Sequence, residues 1–387
     1  MRRQTLEQPP QEWVDQVARR QRASLTWQPV DRPPLGIWVN QPRHRSDLTF
    51  SDIFDYRSFF TLQMRILADT LSVGSDITPC LAINSFGDGI LPSMFGADLI
   101  VPPPDSKVIQ DQGPWVVPLL HSAAEIAAVR RPPLDRGLFP RAADAVRYYR
   151  DHAPAWLPVV TPMRVGPLSV AMLLCGQPFY THLYDCPKEI HHLLQVCTDL
   201  FLETELCLFQ LAGMSPQDTV TNFGVSLPGA LRVGDDVIIN LRPELIEEFA
   251  IPYYRQIARA FGGRVLIHCC SMPQFRCDHV IATLSQHPEI VLGVSTQLGA
   301  EYYLAHQAEL KGCFGIEAGY GVGISSYKES YGSFRCWAEY LARARQSNSG
   351  LVLYTEVETV EEARHMWQEW LEVAGESGRP AHRPPDR

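Results

Sequence analysis

The stretch Arg264-Val265-Leu266-Ile267-His268-Cys269-Cys270 ends in an imidazole followed by two thiols. In an extended chain successive side chains point to opposite faces, so His268 and Cys270 emerge together and Cys269 turns the other way. An imidazole nitrogen beside a thiolate suits zinc, which takes nitrogen and sulfur ligands in tetrahedral geometry. A third ligand must then come from another strand end. Glu356, at the end of the apolar run 350–356, is the first choice, and Cys313 or Glu317 in the preceding run are the alternatives. The competing reading is packing alone, since a single H-x-C arises easily by chance and a thiol beside an imidazole can simply fill space.

Other polar residues fall near the ends of apolar runs, where barrel enzymes place their reactive groups. Asn84, Phe86 and Asp88 follow the run 77–84 and could contact a substrate, or else form a turn on Gly87-Asp88-Gly89. Met163 and Arg164 close the run 157–163. Met163 would line the substrate site, while Arg164 either anchors a carboxylate or phosphate or makes a surface ion pair. Asn222 ends the run 218–223 as a polar group for the site. Asp235 and Asp236 precede a helix, and one of them could move a proton, because desolvation raises a carboxyl group's pKa toward neutrality. They could equally cap that helix or pair with Arg232 or Arg242. Gly319, Gly321 and Gly323 favour a turn over a phosphate loop, with Tyr320 placed to line the pocket.

The elements that must position these residues alternate. Eight short apolar runs suit buried parallel strands: 35–39, 77–84, 157–163, 218–223, 264–270, 290–296, 312–317 and 350–356. Between them lie helical patterns at 187–211, 243–261, 275–287, 300–310, 334–346 and 358–374, the second expected to kink at Pro252. Alternation of this kind predicts an α/β fold, a (β/α)₈ TIM barrel, with an open doubly wound sheet as the alternative. Residues 1–30 read as an N-terminal helical arm, 31–374 as the barrel, and 375–387 as a disordered tail. Long insertions at 40–76 and 85–156 would cross the barrel mouth.

With 387 residues, 45% of them hydrophobic, the chain can bury a large core, and its net charge of −9 argues against a nucleic-acid surface. A small-molecule substrate is expected. Residues 1–8 lead into Pro9-Pro10 without the apolar stretch of a secretory signal, and the most apolar segment, 190–211, is broken by Asp199, Glu203 and Glu205. A cytoplasmic protein with no membrane partner is therefore expected, its ten irregularly spaced cysteines mostly buried free thiols.

Taken in order, Gly166-Pro167-Leu168, Leu174-Cys175-Gly176, Asp235-Asp236, Pro243-Glu244, Phe249-x-x-Pro252-Tyr253 and Leu266-Ile267-His268-x-Cys270 resemble the uroporphyrinogen decarboxylase-like superfamily over about residues 77 to 370. The resemblance implies the (β/α)₈ barrel and favours Asp236 of the two aspartates. The haem-pathway decarboxylases of that superfamily carry an Arg-rich N-terminal signature, but here Gly36-Ile37-Trp38-Val39-Asn40 occupies the region, leaving a many-carboxylate porphyrinogen poorly anchored. The corrinoid-dependent methyltransferases are the nearer branch, and in them an H-x-C pair and a later Cys hold zinc. This chain keeps His268 and Cys270 but has Leu353-Tyr354-Thr355-Glu356 where the later Cys would stand. A carboxylate can replace a thiolate on zinc, so Glu356 would complete the site.

The resemblance thus implies a zinc-assisted methyltransferase acting between a methylcorrinoid and a thiol or other small acceptor. No D-x-H-x-x-G motif is present to hold cobalt, so a separate corrinoid protein would be the partner, and a homodimer is compatible with the superfamily. Two alternatives stand beside it. One is a metal-free decarboxylase or other lyase acting on a small carboxylic acid, with Arg164 holding the carboxylate and Asp236 managing protons; the other is a non-catalytic ligand-binding barrel.

Overall fold

The computed structural model describes residues 6–40, 49–83, 86–106, 114–162, 165–217, 219–269, 274–296, 301–312, 315–320 and 349–375, with backbone alone at 274–277, 301–304 and 316–320. Its strands are β1 (Leu35–Val39), β2 (Leu81–Ala82), β3 (Leu99–Ile100), β4 (Trp115–Val116), β5 (Val159–Val160), β6 (Ala230–Gly234), β7 (Arg264–Cys269), β8 (Val291–Thr296), β9 (Gly315–Tyr320) and β10 (Leu351–Val357). A six-stranded, wholly parallel sheet runs β1-β10-β9-β8-β7-β6, and β2 pairs with β5 in a separate parallel pair. Only β3 and β4, in the insertion 85–156, are antiparallel among the described strands. The α/β class thus matches the alternation in the sequence.

Two expected strands shrink to two residues each. Pro79 lies in the run 77–84, and Pro158 and Pro162 lie in 157–163; a proline has no N–H to give a ladder. In the run 218–223, Asp218 lies outside the described residues and 219–223 do not form a strand. Thr221 N–H donates to the Val225 carbonyl (2.8 Å) and Leu227 N–H to that of Thr219 (3.0 Å), closing a small antiparallel turn about Gly224, whose φ is +72°. The strand in this part of the chain is β6, announced in the sequence by Pro228-Gly229 before it and Gly234 at its end.

Helices cover one face of the large sheet. The helix Pro187–Ala212 buries Ile190, Leu193, Leu194, Cys197, Leu200, Phe201 and Leu208, the stripe expected from its spacing. The segment 243–261 breaks at Ala250 into Pro243–Phe249 and Ile251–Ala260, because Pro252 lacks an N–H and its ring collides with the carbonyl four residues back. On the helix-covered face lie Val233, Val265, Ile267, Cys269, Val291, Val294, Leu351 and Leu353, all within one large apolar core.

The opposite face, here the inner face, carries a smaller apolar layer of Ala230, Leu266, Leu292 and Val352, joined by Val225, Leu227 and Leu25. Leu25 ends the helix Gln11–Leu25, which lies against the starts of β9 and β10. Ser24 Oγ–H donates to the Leu351 carbonyl (2.7 Å), and Gln21 Nε2 donates to the carbonyls of Asp76 (2.8 Å) and Gly224 (2.9 Å). Asp76 is buried between the guanidiniums of Arg20 and Arg32 and also accepts from Leu35 N–H at 3.0 Å. Burial opposes its ionisation, but the two guanidiniums outweigh it and hold the carboxyl below the usual range. No helix among the described residues is long and apolar enough to cross a membrane.

Candidate active site

One step above the apolar layer, the inner face turns polar. Alternation along β6, β7 and β10 carries it from Ala230, Leu266 and Val352 to Arg232, His268 and Tyr354. His268 is 2% exposed, and its Nδ1 shares a hydrogen bond of 3.0 Å with Ser295 Oγ on β8. Arg232 Nε–H donates to the same Oγ at 3.3 Å, and its guanidinium stands 5.2 Å from the centre of the Phe223 ring. Phe223 in turn stacks on Tyr354 at 4.2 Å, while Trp38 Nε1–H donates to the Phe223 carbonyl at 2.8 Å. The turn about Gly224 therefore supplies an aromatic wall beside the Arg232 guanidinium.

Burial first, and then the charge of Arg232, push the His268 pKa well below its ordinary value, so the ring is neutral at physiological pH. A neutral imidazole with one nitrogen engaged by a hydroxyl is the form a metal ligand takes. One further step along β10 is Glu356, on the same face as Val352 and Tyr354 and 9% exposed. Its Oε2 accepts from Asn40 Nδ2 at 3.3 Å. Glu356 and His268 stand on strands separated by β8 and β9. Among the described residues no three His, Cys, Asp or Glu side chains form a metal-holding group.

The remaining expected residues are scattered. Cys270, Cys313, Asn84, Met163 and Arg164 lie outside the described residues. Glu317 and Tyr320 belong to β9, where the backbone alone is described. Phe86, 1% exposed, packs in the core against Phe54 with ring centres 6.0 Å apart, and Asp88 is exposed on the short turn Gly87–Gly89. Asn222 is half-buried and, with Thr161, Glu205 and Arg232, lines a cleft at the seam between β5 and β6. There Thr161 Oγ1–H donates to Glu205 Oε2 at 3.1 Å.

The two aspartates separate. Asp236 is half-buried at the start of the turn Asp236–Asn240. Asp235 is wholly buried on the helix side, where its Oδ1 accepts from Ser169 N–H at 2.8 Å. That N–H is at the start of the helix Pro167–Cys175, whose cap residue, Gly166, has no side chain to offer it. A Cβ on Gly166 would lie 2.3 Å from Asp235 Oδ2, so glycine at 166 is what admits the carboxyl. Burial raises the Asp235 pKa to about 7, against the hydrogen bonds from Ser169. Cys269 turns to this side as alternation predicts, its Sγ–H donating to the Asp235 carbonyl at 3.7 Å.

Sequence reasoning missed Ser295 and the part played by Arg232. Ser295 ends an apolar run without a distinguishing neighbour, and Arg232 invited pairing with the adjacent aspartates. A Pro-Gly turn followed by a five-residue segment with Arg at its centre was the available signal for Arg232.

No protein-family model matches the sequence, and no curated protein matches it. Among solved structures, the chain is similar to a methyltransferase from Methanosarcina mazei, with a TM-score of 0.60 at 14% sequence identity. The match covers 93% of this chain and 98% of that one. The likeness extends over nearly the whole of both chains and is one of fold.

Proposed function

We propose that this chain is a methyltransferase of the uroporphyrinogen decarboxylase-like superfamily, built on a (β/α)₈ barrel and assisted by zinc held by His268, Cys270 and Glu356. The observation that carries the reading is a neutral, oriented imidazole on the inner face of a parallel sheet, in a chain that matches a methyltransferase over almost its full length. Barrel closure is supported on both sides of the β2–β5 pair. Val165 bridges Gly234 of β6 in parallel, and Asp76 N–H donates to the Leu35 carbonyl of β1 at 2.9 Å.

Bound zinc would lower the pKa of a thiol acceptor and so supply the nucleophile. The chain's own residues do the rest. Arg232 and burial keep the imidazole unprotonated, Ser295 holds the ring, and Asn40 holds the Glu356 carboxylate. The Phe223–Tyr354 stack closes one wall of the inner face with apolar surface. The methyl donor would be a methylcorrinoid brought by a separate carrier protein.

Zinc measured by elemental analysis on untagged protein tests the reading, together with methyl transfer from methylcobalamin to a panel of small thiols. About one zinc per chain, lost in His268→Ala and Cys270→Ser, is expected. Protein that holds no zinc before or after incubation with it would overturn the zinc site and favour the metal-free lyase.

A further inference from the structure

We propose that the outward face of the β3–β4 ribbon is the surface on which the methyl-donor carrier protein docks, through an apolar patch made by Ile100, Trp115, Val117 and Leu119. The proposal rests on the methyl-transfer reading, in which the donor arrives on a separate protein.

The register of the ribbon assigns the face. Leu99 pairs with Val116 and Ile100 with Trp115, and Val117 N–H donates to the Asp98 carbonyl at 2.9 Å. One of these pairs turns inward. A Cβ on Gly89 would meet Leu99 Cδ1 at 3.1 Å, and Val116 packs against the main core. By alternation Ile100 and Trp115 point outward, and Val117 and Leu119, two and four residues beyond Trp115, follow them. Their exposures are 57%, 49%, 38% and 39%. A ribbon with one face in water ordinarily sets polar residues on it, whereas here Asp98, opposite Val117, stands at the edge of an apolar patch. Of the seven large hydrophobic residues exposed among the described residues, five lie between 100 and 119, the fifth being Val101, so this is a patch and not a scatter of single side chains.

Position and size select the occupant. The ribbon lies in the chain between the C-terminal end of β2 and the helix Phe139–His152, which leads back to the start of β5. It therefore stands at the C-terminal end of the parallel strands, the end at which His268 and Glu356 are the second-last residues of β7 and β10. The exposed apolar surface is on the order of 400–500 Å², about half of the ~800 Å² that each partner of a stable complex contributes. That is too little for a permanent dimer and suits a visitor that must leave, as a carrier does to take up its next methyl group. Pro114 and Pro118 flank β4 and Pro102 to Pro104 follow β3, so neither edge offers a run of N–H groups for a strand of a second copy. Contact is made by side chains, with Trp115 as the anchor and Asp98 meeting a cationic group at the rim of the carrier's apolar surface.

The probes are the cobalamin-binding proteins encoded in the same genome, each purified, loaded with methylcobalamin and passed over the immobilised full-length chain. One of them is expected to bind wild type reversibly, and Trp115→Ser and Ile100→Ser should each weaken that binding by about tenfold or more, while Trp115→Phe keeps most of it. Ile100→Ser serves if Trp115→Ser fails to fold. No binding to wild type, or wild-type affinity in both folded serine variants, overturns the proposal. So does a wild-type dimer in sedimentation that the variants lose, which would give the face to a second copy. Methyl transfer from free methylcobalamin, which needs no docking, keeps the two ideas apart. Carrier binding through the ribbon in a chain that transfers no methyl group would remove the reaction alone, whereas transfer from free methylcobalamin with no carrier bound would remove this surface alone.

Discussion

Replacing Asp235 by asparagine should stabilise the protein in mild alkali and leave it nearly unchanged in mild acid. The carboxyl is wholly buried, and its pKa is raised to about 7 from an ordinary value of 3.8. Between those values the folded chain holds a proton that the unfolded chain has released, so stability falls as pH rises through the window. The group's contribution is complete below the unfolded pKa and is gone above the folded one. A displacement of about three units at 1.36 kcal/mol each is worth about 4 kcal/mol in all, of which about 3 kcal/mol is lost between about pH 5 and about pH 8. Asparagine keeps an oxygen for Ser169 N–H, fits beside Gly166 and has no proton to lose. Urea unfolding followed by tryptophan fluorescence across that range should show wild type losing about 3 kcal/mol more than Asp235→Asn. Asp235→Ala, which removes the cap, should be weaker than both in mild acid by about 1–2 kcal/mol. Parallel pH profiles for wild type and Asp235→Asn would refute the reasoning, since they would mean that the carboxyl is ionised throughout.

Asp76→Ala removes the buried carboxylate that Arg20 and Arg32 share, while Arg20 keeps its pair with Asp31, and should cost about 3–5 kcal/mol in chemical denaturation; a loss of under about 1 kcal/mol would show that the cluster is solvated. Gly293→Ala drives a methyl group into the Gly315 carbonyl and should cost about 3 kcal/mol or more in the same assay, whereas a neutral result would contradict the β8–β9 register. Because burial and Arg232 depress the His268 pKa, the unfolded chain takes up that proton first as pH falls below about 6.5, and folded stability is lost on acidification. In chelator-treated protein His268→Gln should therefore lose less stability than wild type between about pH 6.5 and about pH 5, and equal losses would place the imidazole in solvent.

The α/β class, the long amphipathic helix 187–212 and the break at Pro252 were legible because each depends on local periodicity or on a single residue's backbone chemistry. His268 was legible for the same reason, since alternation along one strand separates it from Cys269. Strand identity was less secure. The apolar run 218–223 satisfies a strand pattern, yet residues 219–223 form a turn in which Phe223 stacks on Tyr354 and its carbonyl accepts from Trp38 Nε1–H. The strand fell to 230–234, where Arg232 interrupts the apolar pattern.

By itself, the sequence determined which residues could do chemistry and the kind of elements that carry them. Those properties follow from side-chain type and from periods of two and 3.6 residues. Tertiary structure alone decided which groups meet. Ser295 reaches His268 only through a one-residue slip between neighbouring strands, and Asp235 reaches Ser169 across a gap that only a glycine leaves open. Such meetings join residues 27 and 66 positions apart, and no local pattern encodes a contact over that separation.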